Sequence, residues 1–272
     1  MTPLSPTTPS AGVHSTQLGT EGPRVIFLHG LFGQGKNWTG IAKSLSGDHR
    51  LTMVDLPNHG RSAWTDQVSY AEMAMAVGDL LSDQSSEPAT VIGHSMGGKV
   101  AMTLALLRPR LVDRLGVVDI SPVRYGELSN FADYVRGMRA LDLHTLPDRQ
   151  SADTALQPYV PDETVRSFLL QNLRRVIDRT EGPAWRWQMN LHLLGDHLAD
   201  LGEWLPLHTD AYPGPVLWLA GAQSRYITPD HAPTMRALFP RVQLVTVKNA
   251  GHWVHSEQPK VFEAALRRFL RR

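Results

Sequence analysis

The sequence predicts an α/β protein built on a mainly parallel, doubly wound sheet. Short β-branched runs alternate with amphipathic helical patterns along most of the chain, as βα units require. One long helical stretch interrupts this alternation between the fourth and fifth predicted strands. The length of 272 residues suits one large domain, or a core domain that carries an insertion.

Six apolar runs rich in β-branched residues are predicted strands. In chain order they are Arg24–Leu28, Leu51–Asp55, Thr90–Gly93, Leu115–Ile120, Val216–Gly221 and Val242–Val247. Each of the first three is followed by a helical pattern, so we expect successive strands to be parallel.

Helix boundary signals lie between these strands. Asn37 is the predicted N-cap of the first helix, and Ser69 with Glu72 forms a capping box for the second. The third helix must end before Pro109, because the residue before a proline is disfavoured in a helix. Pro259 suits the first turn of a final helix.

The interruption predicts a helical cap inserted between two strands of the sheet. Apolar spacing favours one helix over Phe131–Leu141 and another over Val165–Leu173, with no confident strand in the stretch. The proline-, serine- and threonine-rich start predicts a disordered tail. The predicted limits are a tail at 1–12, a core at 13–122 and 214–272, and a cap at 123–213.

Composition narrows the function classes. The 27 basic and 26 acidic residues leave a net charge of +1, which does not favour a nucleic-acid partner. The absence of cysteine removes disulfides and thiolate nucleophiles. No apolar run approaches the ~20 residues that span a membrane. The first residues lack a signal-peptide pattern, so we expect a cytoplasmic location.

The segment Gly93–Gly97 reads G-x-S-x-G and lies between a predicted strand and a predicted helix. This context is typical of a nucleophile elbow, in which glycines permit a sharp turn that exposes the serine hydroxyl. Ser95 is therefore the candidate nucleophile. Acyl transfer needs two amide donors for the oxyanion. Met96 follows the serine and Leu31 follows His29-Gly30, so their amides are the candidate donors, with Phe32 less favoured.

Histidine and acid candidates follow later strands. His252 lies directly after the last strand and is the predicted base, whereas we expect His255 to pack or cap at the final helix. Asp119 ends an apolar strand, where a buried carboxylate needs a partner such as imidazole. Asp230 and Asp55 are the weaker alternatives. For Asp55 the competing expectation is hydrogen bonding to loop amides. No histidine spacing typical of a metal site is present, and no metal is expected.

Five segments together resemble the YbfF-type esterases of the α/β-hydrolase superfamily. They are HGLFGQGKNW (His29–Trp38), DLPNHGRS (Asp55–Ser62), GHSMGGKVAM (Gly93–Met102), DISPVRY (Asp119–Tyr125) and AGHWVHSEQP (Ala250–Pro259). The resemblance implies an α/β-hydrolase fold and a cofactor-free serine esterase acting on small acyl esters or thioesters. It also implies the acid at Asp119, with a serine at position 224. Pro57 departs from the arginine usual in that family.

The remaining questions concern the substrate and the reaction. Aromatic residues that flank the catalytic segments or lie in the cap predict an apolar acyl pocket: Phe32, Tyr125, Trp187, Tyr226 and Trp253. Acyl transfer to an alcohol and carbon–carbon bond hydrolysis stay open, because both use the same triad. A non-enzymatic binding module is disfavoured, because each catalytic part has a candidate residue.

Overall fold

Strand pairing organises the chain around one large sheet. The computed structural model describes residues 5–6, 12–126, 129–176, 184–204 and 209–271. In chain order the strands are β1 (Ser5–Pro6), β2 (Ser15–Leu18), β3 (Arg24–Leu28), β4 (Arg50–Val54), β5 (Ala89–His94), β6 (Val112–Val118), β7 (Leu173–Arg175), β8 (Trp185–Trp187), β9 (Val216–Gly221) and β10 (Val242–Val247). Eight of them form the order β1-β2-β4-β3-β5-β6-β9-β10.

The six strands from β4 to β10 in that order are mutually parallel, which confirms the predicted fold class. β2 pairs antiparallel with β4 and extends the sheet at one edge, and β1 pairs antiparallel with β2. The six predicted strands match these six parallel strands, with β3, β9 and β10 at their predicted limits. The edge pair was not predicted, because STQL has no apolar alternation.

Helices cover both faces of the sheet. They are α1 (Thr39–Leu45), α2 (Tyr70–Gln84), α3 (Met96–Leu107), α4 (Ser129–Ala140), α5 (Arg149–Leu156), α6 (Glu163–Leu170), α7 (Leu191–Asp196), α8 (Leu198–Gly202), α9 (Ala232–Leu238), α10 (Val254–Glu257) and α11 (Pro259–Leu270). Alternate residues of β3 point to opposite faces. Ile26 and Leu28 pack in the core layer of α2 and α3, whereas Val25 and Phe27 pack in that of α1 and α11.

The predicted helix caps have mixed outcomes. The Oγ of Ser69 accepts a hydrogen bond from the Glu72 amide at 3.4 Å, which confirms Ser69 as the N-cap of α2 but supplies only one of the two bonds of the predicted capping box. Asn37 does not cap α1, so that prediction is wrong. It lies inside a short 3₁₀ turn, Gly35–Trp38, whose N-cap is Gln34. The side chain of Asn37 instead accepts from the Gln34 amide at 2.7 Å.

The segment between β6 and β9 holds α4 to α8 and a short hairpin. β7 and β8 pair antiparallel, which corrects the expectation of a stretch without strands. The helix predicted to reach Leu173 ends at Leu170, because Leu173 is the first residue of β7. The limits of the cap stay a prediction.

Lys99 joins the cap to α3, the helix that follows Ser95. This residue of α3 is buried, and its ammonium donates to the carbonyls of Gly202 at 2.9 Å and Glu203 at 2.7 Å. The ammonium also lies 5.0 Å from the ring centre of Tyr125. A cation buried in this way needs several acceptors, so the end of α8 is held against α3.

The predicted tail lies mostly outside the described residues, which include only Ser5–Pro6 and Gly12 of it. Ser5–Pro6 forms the two-residue strand β1 at the edge of the sheet. Within the described ranges, no helix is long and apolar enough to cross a membrane.

Candidate active site

Ser95 lies at a sharp turn between β5 and α3. Its backbone has φ +52° and ψ −119°, a region that residues with a Cβ rarely adopt. Glycines flank it because the backbone is crowded here. A Cβ on Gly93 would lie 2.1 Å from the Gly97 carbonyl oxygen, and one on Gly97 would lie 2.4 Å from that of His29. The strand, turn and helix match the elbow geometry predicted from G-x-S-x-G.

His252 and Asp119 are hydrogen bonded to each other. The Nδ1 of His252 donates to Oδ2 of Asp119 at 2.8 Å, across 133 positions of sequence. Asp119 is fully buried at the end of β6 and has φ +52°. Its Oδ1 accepts from the Gly221 amide at 3.0 Å, and its Oδ2 also accepts from the Ser224 hydroxyl. Three donors therefore compensate the buried carboxylate.

Two neighbours fix the position of His252. Nε2 of His94 donates to the His252 carbonyl at 2.9 Å, and the Tyr226 ring stacks on the His252 ring with centres 4.1 Å apart. Burial lowers the pKa of His94 well below its ordinary value, so that ring is neutral at pH 7. The loop after β10 is therefore held to the residue that precedes Ser95.

The two candidate oxyanion donors come from segments next to Ser95: Leu31 lines the same cavity, and Met96 follows Ser95 in the chain. Met96 begins α3, where the first amides of a helix have no partner within it. Leu31 occupies a turn closed by the hydrogen bond from the Gly33 amide to the Gly30 carbonyl at 2.9 Å. The neighbouring Phe32 amide donates to Nε2 of His59 at 3.1 Å. Phe32, the less favoured donor, is therefore already engaged.

The alternative residues lie apart from this arrangement. The His255 ring is partly buried in α10 and stacks on Trp38, with centres 4.4 Å apart. Asp230 is exposed in a 3₁₀ turn. Asp55 accepts from the amides of Gly35 at 2.7 Å and Arg61 at 2.9 Å, which is the loop role expected as its alternative.

A cavity opens above Ser95 and His252. Its lining combines the catalytic segments with apolar residues of α4 and α6: His29, Gly30, Leu31, Asn37, Trp38, His94, Ser95, Phe131, Tyr134, Val165, Phe168, Leu169, His252, Trp253 and His255. Histidine, serine, asparagine and tyrosine side chains supply its polar groups, while most of its exposed lining is apolar. The site therefore suits an apolar group bound next to a hydroxyl nucleophile.

Only one of the five predicted pocket residues, Trp253, lines this cavity. Phe32 is fully buried behind it, with its ring centre 6.1 Å from that of Phe131. The Tyr125 hydroxyl is hydrogen bonded to the Tyr226 carbonyl, and the Tyr226 ring covers His252. Trp187 is buried in the β7–β8 hairpin.

Sequence reasoning missed several residues of the site. His94 and His59 hold the loops described above, and Asn172 of the cap reaches the same region. His94 is a variable position of the motif, and His59 and Asn172 follow no spacing rule, so no signal could have singled them out. In the described part of the chain, no group of three or more His, Asp or Glu residues could hold a metal ion.

A parallel sheet that presents a serine elbow and, further along the chain, an acid and a histidine is the architecture of the α/β hydrolases. The chain belongs to this family: the model of the α/β-hydrolase fold matches residues 23–259.

Several individual relatives have names that state an activity. The chain is 40% identical over 254 residues to the sn-1-specific diacylglycerol lipase ABHD11 of Mus musculus, covering 91% of this chain and 81% of that protein. It is 32% identical to esterase YbfF of Escherichia coli, covering 90% and 92%. A solved marine microorganism esterase superposes with a TM-score of 0.91 at 32% identity, covering 96% of this chain and all of that one.

Proposed function

We propose that this chain is a carboxylic ester hydrolase that forms an acyl-enzyme on Ser95 and cleaves small acyl esters or thioesters. The observation that carries the proposal is one juxtaposition. Ser95, on its strained turn, and His252, paired with Asp119, line the same cavity. The names of the relatives, a lipase and two esterases, support ester cleavage as the reaction.

Acylation begins with the histidine. Asp119 accepts from Nδ1–H, so Nε2 of His252 is left as the acceptor for the Ser95 hydroxyl proton. The Ser95 Oγ then forms a bond to the acyl carbon, and the amides of Leu31 and Met96 stabilise the negative oxygen. His252 returns the proton to the leaving alcohol or thiol as its bond to the acyl carbon breaks.

Deacylation repeats these steps with water. His252 takes a proton from water, the resulting hydroxide attacks the acyl carbon, and the proton passes to Ser95 Oγ as the carboxylic acid departs. No step requires a cofactor. Acyl transfer would replace this water with an alcohol and leave the residues in the same roles.

The cavity lining favours an apolar acyl group. Phe131, Phe168 and Leu169 approach Ser95 from the cap, and Trp253 approaches from the loop that carries His252. Apolar contacts of this kind stabilise an acyl chain by about 25 cal/mol per Å² of surface removed from water. The cytoplasmic location and the absence of a nucleic-acid partner stay predictions.

The experiment is a substrate panel on wild type and Ser95→Ala. It compares p-nitrophenyl esters of increasing chain length with acyl-CoA, each with and without added alcohol. We expect hydrolysis by wild type and a loss of about 10³- to 10⁶-fold in folded Ser95→Ala. Near-native turnover by Ser95→Ala would refute the proposal. Formation of a new ester with added alcohol would assign acyl transfer instead.

A further inference from the structure

The loop that carries the Leu31 amide has an unusual backbone. Residues 30–33 form a turn, and its third residue, Phe32, has φ +60°. This position of a turn normally takes glycine or asparagine when φ is positive, because a Cβ is strained there. Such a conformation persists only when neighbouring groups hold it. The conformation of this turn, which sets the orientation of the Leu31 amide, therefore needs an explanation outside the turn.

Both polar groups of Phe32 are held from outside the turn. The Phe32 amide donates to Nε2 of His59 at 3.1 Å, and the Phe32 carbonyl accepts from Nδ2 of Asn172 at 2.7 Å. His59 follows β4 in the core, whereas Asn172 lies between α6 and β7 in the cap. Two separate parts of the chain thus hold one strained residue.

Each partner is fixed in the role it plays. Nδ1 of His59 donates to the Pro57 carbonyl at 2.9 Å, which leaves Nε2 as an acceptor. Burial lowers the pKa of His59 to about 3, so it stays neutral and able to accept. Asn172 is fully buried, and its Oδ1 accepts from the Gln34 side chain. Its NH₂ group is therefore the part of the side chain that points to the Phe32 carbonyl.

We propose that Asn172 and His59 are positioning residues for the oxyanion hole, holding Phe32 at both ends so that the Leu31 amide faces the acyl oxygen. The cap is then more than a cover for the substrate, because it contributes Asn172 to the turn on which one oxyanion donor depends. This inference rests on the proposed function, since it concerns the transition state of that reaction.

The experiment compares Asn172→Ala with Gln171→Ala. Gln171 is the neighbouring cap residue and accepts from the Asn37 side chain at 2.9 Å, so it also joins the cap to this loop, but without contacting Phe32. The readouts are kcat, KM and the inhibition constant of a trifluoromethyl ketone. This inhibitor adds to the serine and places an oxyanion in the hole.

Removing one oxyanion donor costs about 10²- to 10³-fold in kcat, and misplacing one should cost part of this. We expect Asn172→Ala to lower kcat by roughly 10- to 100-fold. The inhibition constant should rise by the same factor while KM changes little. Gln171→Ala should leave the ratio of inhibition constant to KM unchanged. Unchanged kcat in Asn172→Ala, or parallel changes in both variants, would overturn the proposal.

Three further variants keep the proposal testable if Asn172→Ala fails to fold. Asn172→Asp keeps the acceptor for Gln34 but loses the donor to Phe32, and should show the same loss of kcat. At the other end, His59→Leu removes the acceptor for the Phe32 amide, whereas His59→Gln offers a side-chain oxygen in its place. Retained kcat in a folded Asn172→Asp or His59→Leu would contradict the proposed positioning role. A higher kcat in His59→Gln than in His59→Leu would support it.

The results that would refute the proposed function differ from those that would refute the positioning role. In that case wild type hydrolyses no ester, or Ser95→Ala retains turnover. An active wild type whose activity depends on Ser95 but not on Asn172 or His59 removes only the inference about positioning.

Discussion

At the scale of single residues, the candidate acid Asp119 is the most informative residue of the site. An aspartate that ends an apolar strand must find a partner, and both this argument and the family resemblance pointed to Asp119 in the sequence. The structure places its carboxylate against His252 and also against Ser224, which follows β9. The contact with Ser224 could not be derived, because it depends on β6 and β9 being neighbours in the sheet.

Asp119→Asn tests this assignment, with Asp230→Asn as the matched control. An asparagine keeps the volume but can present its NH₂ group to the imidazole and favour the wrong tautomer. We expect Asp119→Asn to lose about 10²- to 10⁴-fold in kcat while remaining folded. Asp230 is exposed near the start of α9, so its substitution should change kcat little.

Both variants are assayed on one activated ester, with circular dichroism to check folding. An impaired Asp230→Asn beside a fully active Asp119→Asn would show that the acid follows β9 instead.

The conformation of the loop that carries the Leu31 amide could not be predicted from single residues. The position of Leu31 after His29-Gly30 indicated which amide should face the substrate. The positive φ of Phe32 and its two distant partners carry no sequence signal, since phenylalanine is disfavoured in this conformation. Tertiary contacts override the local preference at this site.

At the scale of elements, the parallel core could be predicted because each strand is a short apolar run between helix signals. The β7–β8 hairpin could not, because three-residue strands are too short for a periodic pattern and both contain arginine. The edge strand β2 could not be predicted for a similar reason. Burial does not alternate along its four residues, and pairing with β4 rather than local preference makes them a strand.

The strand–turn–helix around Ser95 makes a prediction about glycine. In Gly97→Ala the new Cβ would meet the His29 carbonyl oxygen at 2.4 Å and the Leu28 carbonyl oxygen at 2.6 Å. Backbone must therefore move, and we expect a loss of about 2–4 kcal/mol in the free energy of unfolding. Urea denaturation provides the measurement.

Gly40→Ala is the control for this substitution. Gly40 is an exposed residue of α1, and a Cβ there would meet nothing within 4 Å. Because alanine is the better helix former, Gly40→Ala should stabilise the protein by about 0.5–1 kcal/mol. If both substitutions are tolerated equally, the elbow is less crowded than described.

At the scale of the whole molecule, three buried histidines and the partly buried His255 surround the site and its supporting loops. Burial lowers the pKa of His29 to about 4 and the pKa values of His59 and His255 to about 3, and that of His94 also lies well below 6.5. These rings are neutral in the folded protein, whereas in the unfolded chain they take up protons near pH 6.5. Their contribution to stability is therefore complete above pH 6.5 and is lost as the pH falls towards 4.

His255→Phe isolates one of these groups. A phenyl ring can keep the stacking on Trp38, and within the described residues Nδ1 of His255 has no hydrogen-bond partner to lose. Between pH 6.5 and 4 we expect the free energy of unfolding of His255→Phe to fall less steeply than that of wild type. The two slopes should differ by about 1.4 kcal/mol per pH unit.

The measurement is urea denaturation at several pH values, with the exposed His144→Gln as control. The control should leave the slope unchanged. Equal slopes in wild type and His255→Phe would mean that this ring is not kept neutral by the fold.

The central claim, an acyl-enzyme on Ser95, is tested most directly by covalent labelling. A fluorophosphonate is incubated with wild type and Ser95→Ala, residual ester hydrolysis is followed, and the modified peptide is identified by mass spectrometry. We predict one adduct per chain, located on Ser95, formed in step with the loss of activity, and no adduct in Ser95→Ala. An adduct on another residue that abolishes activity, or full activity in protein completely labelled on Ser95, would contradict the account.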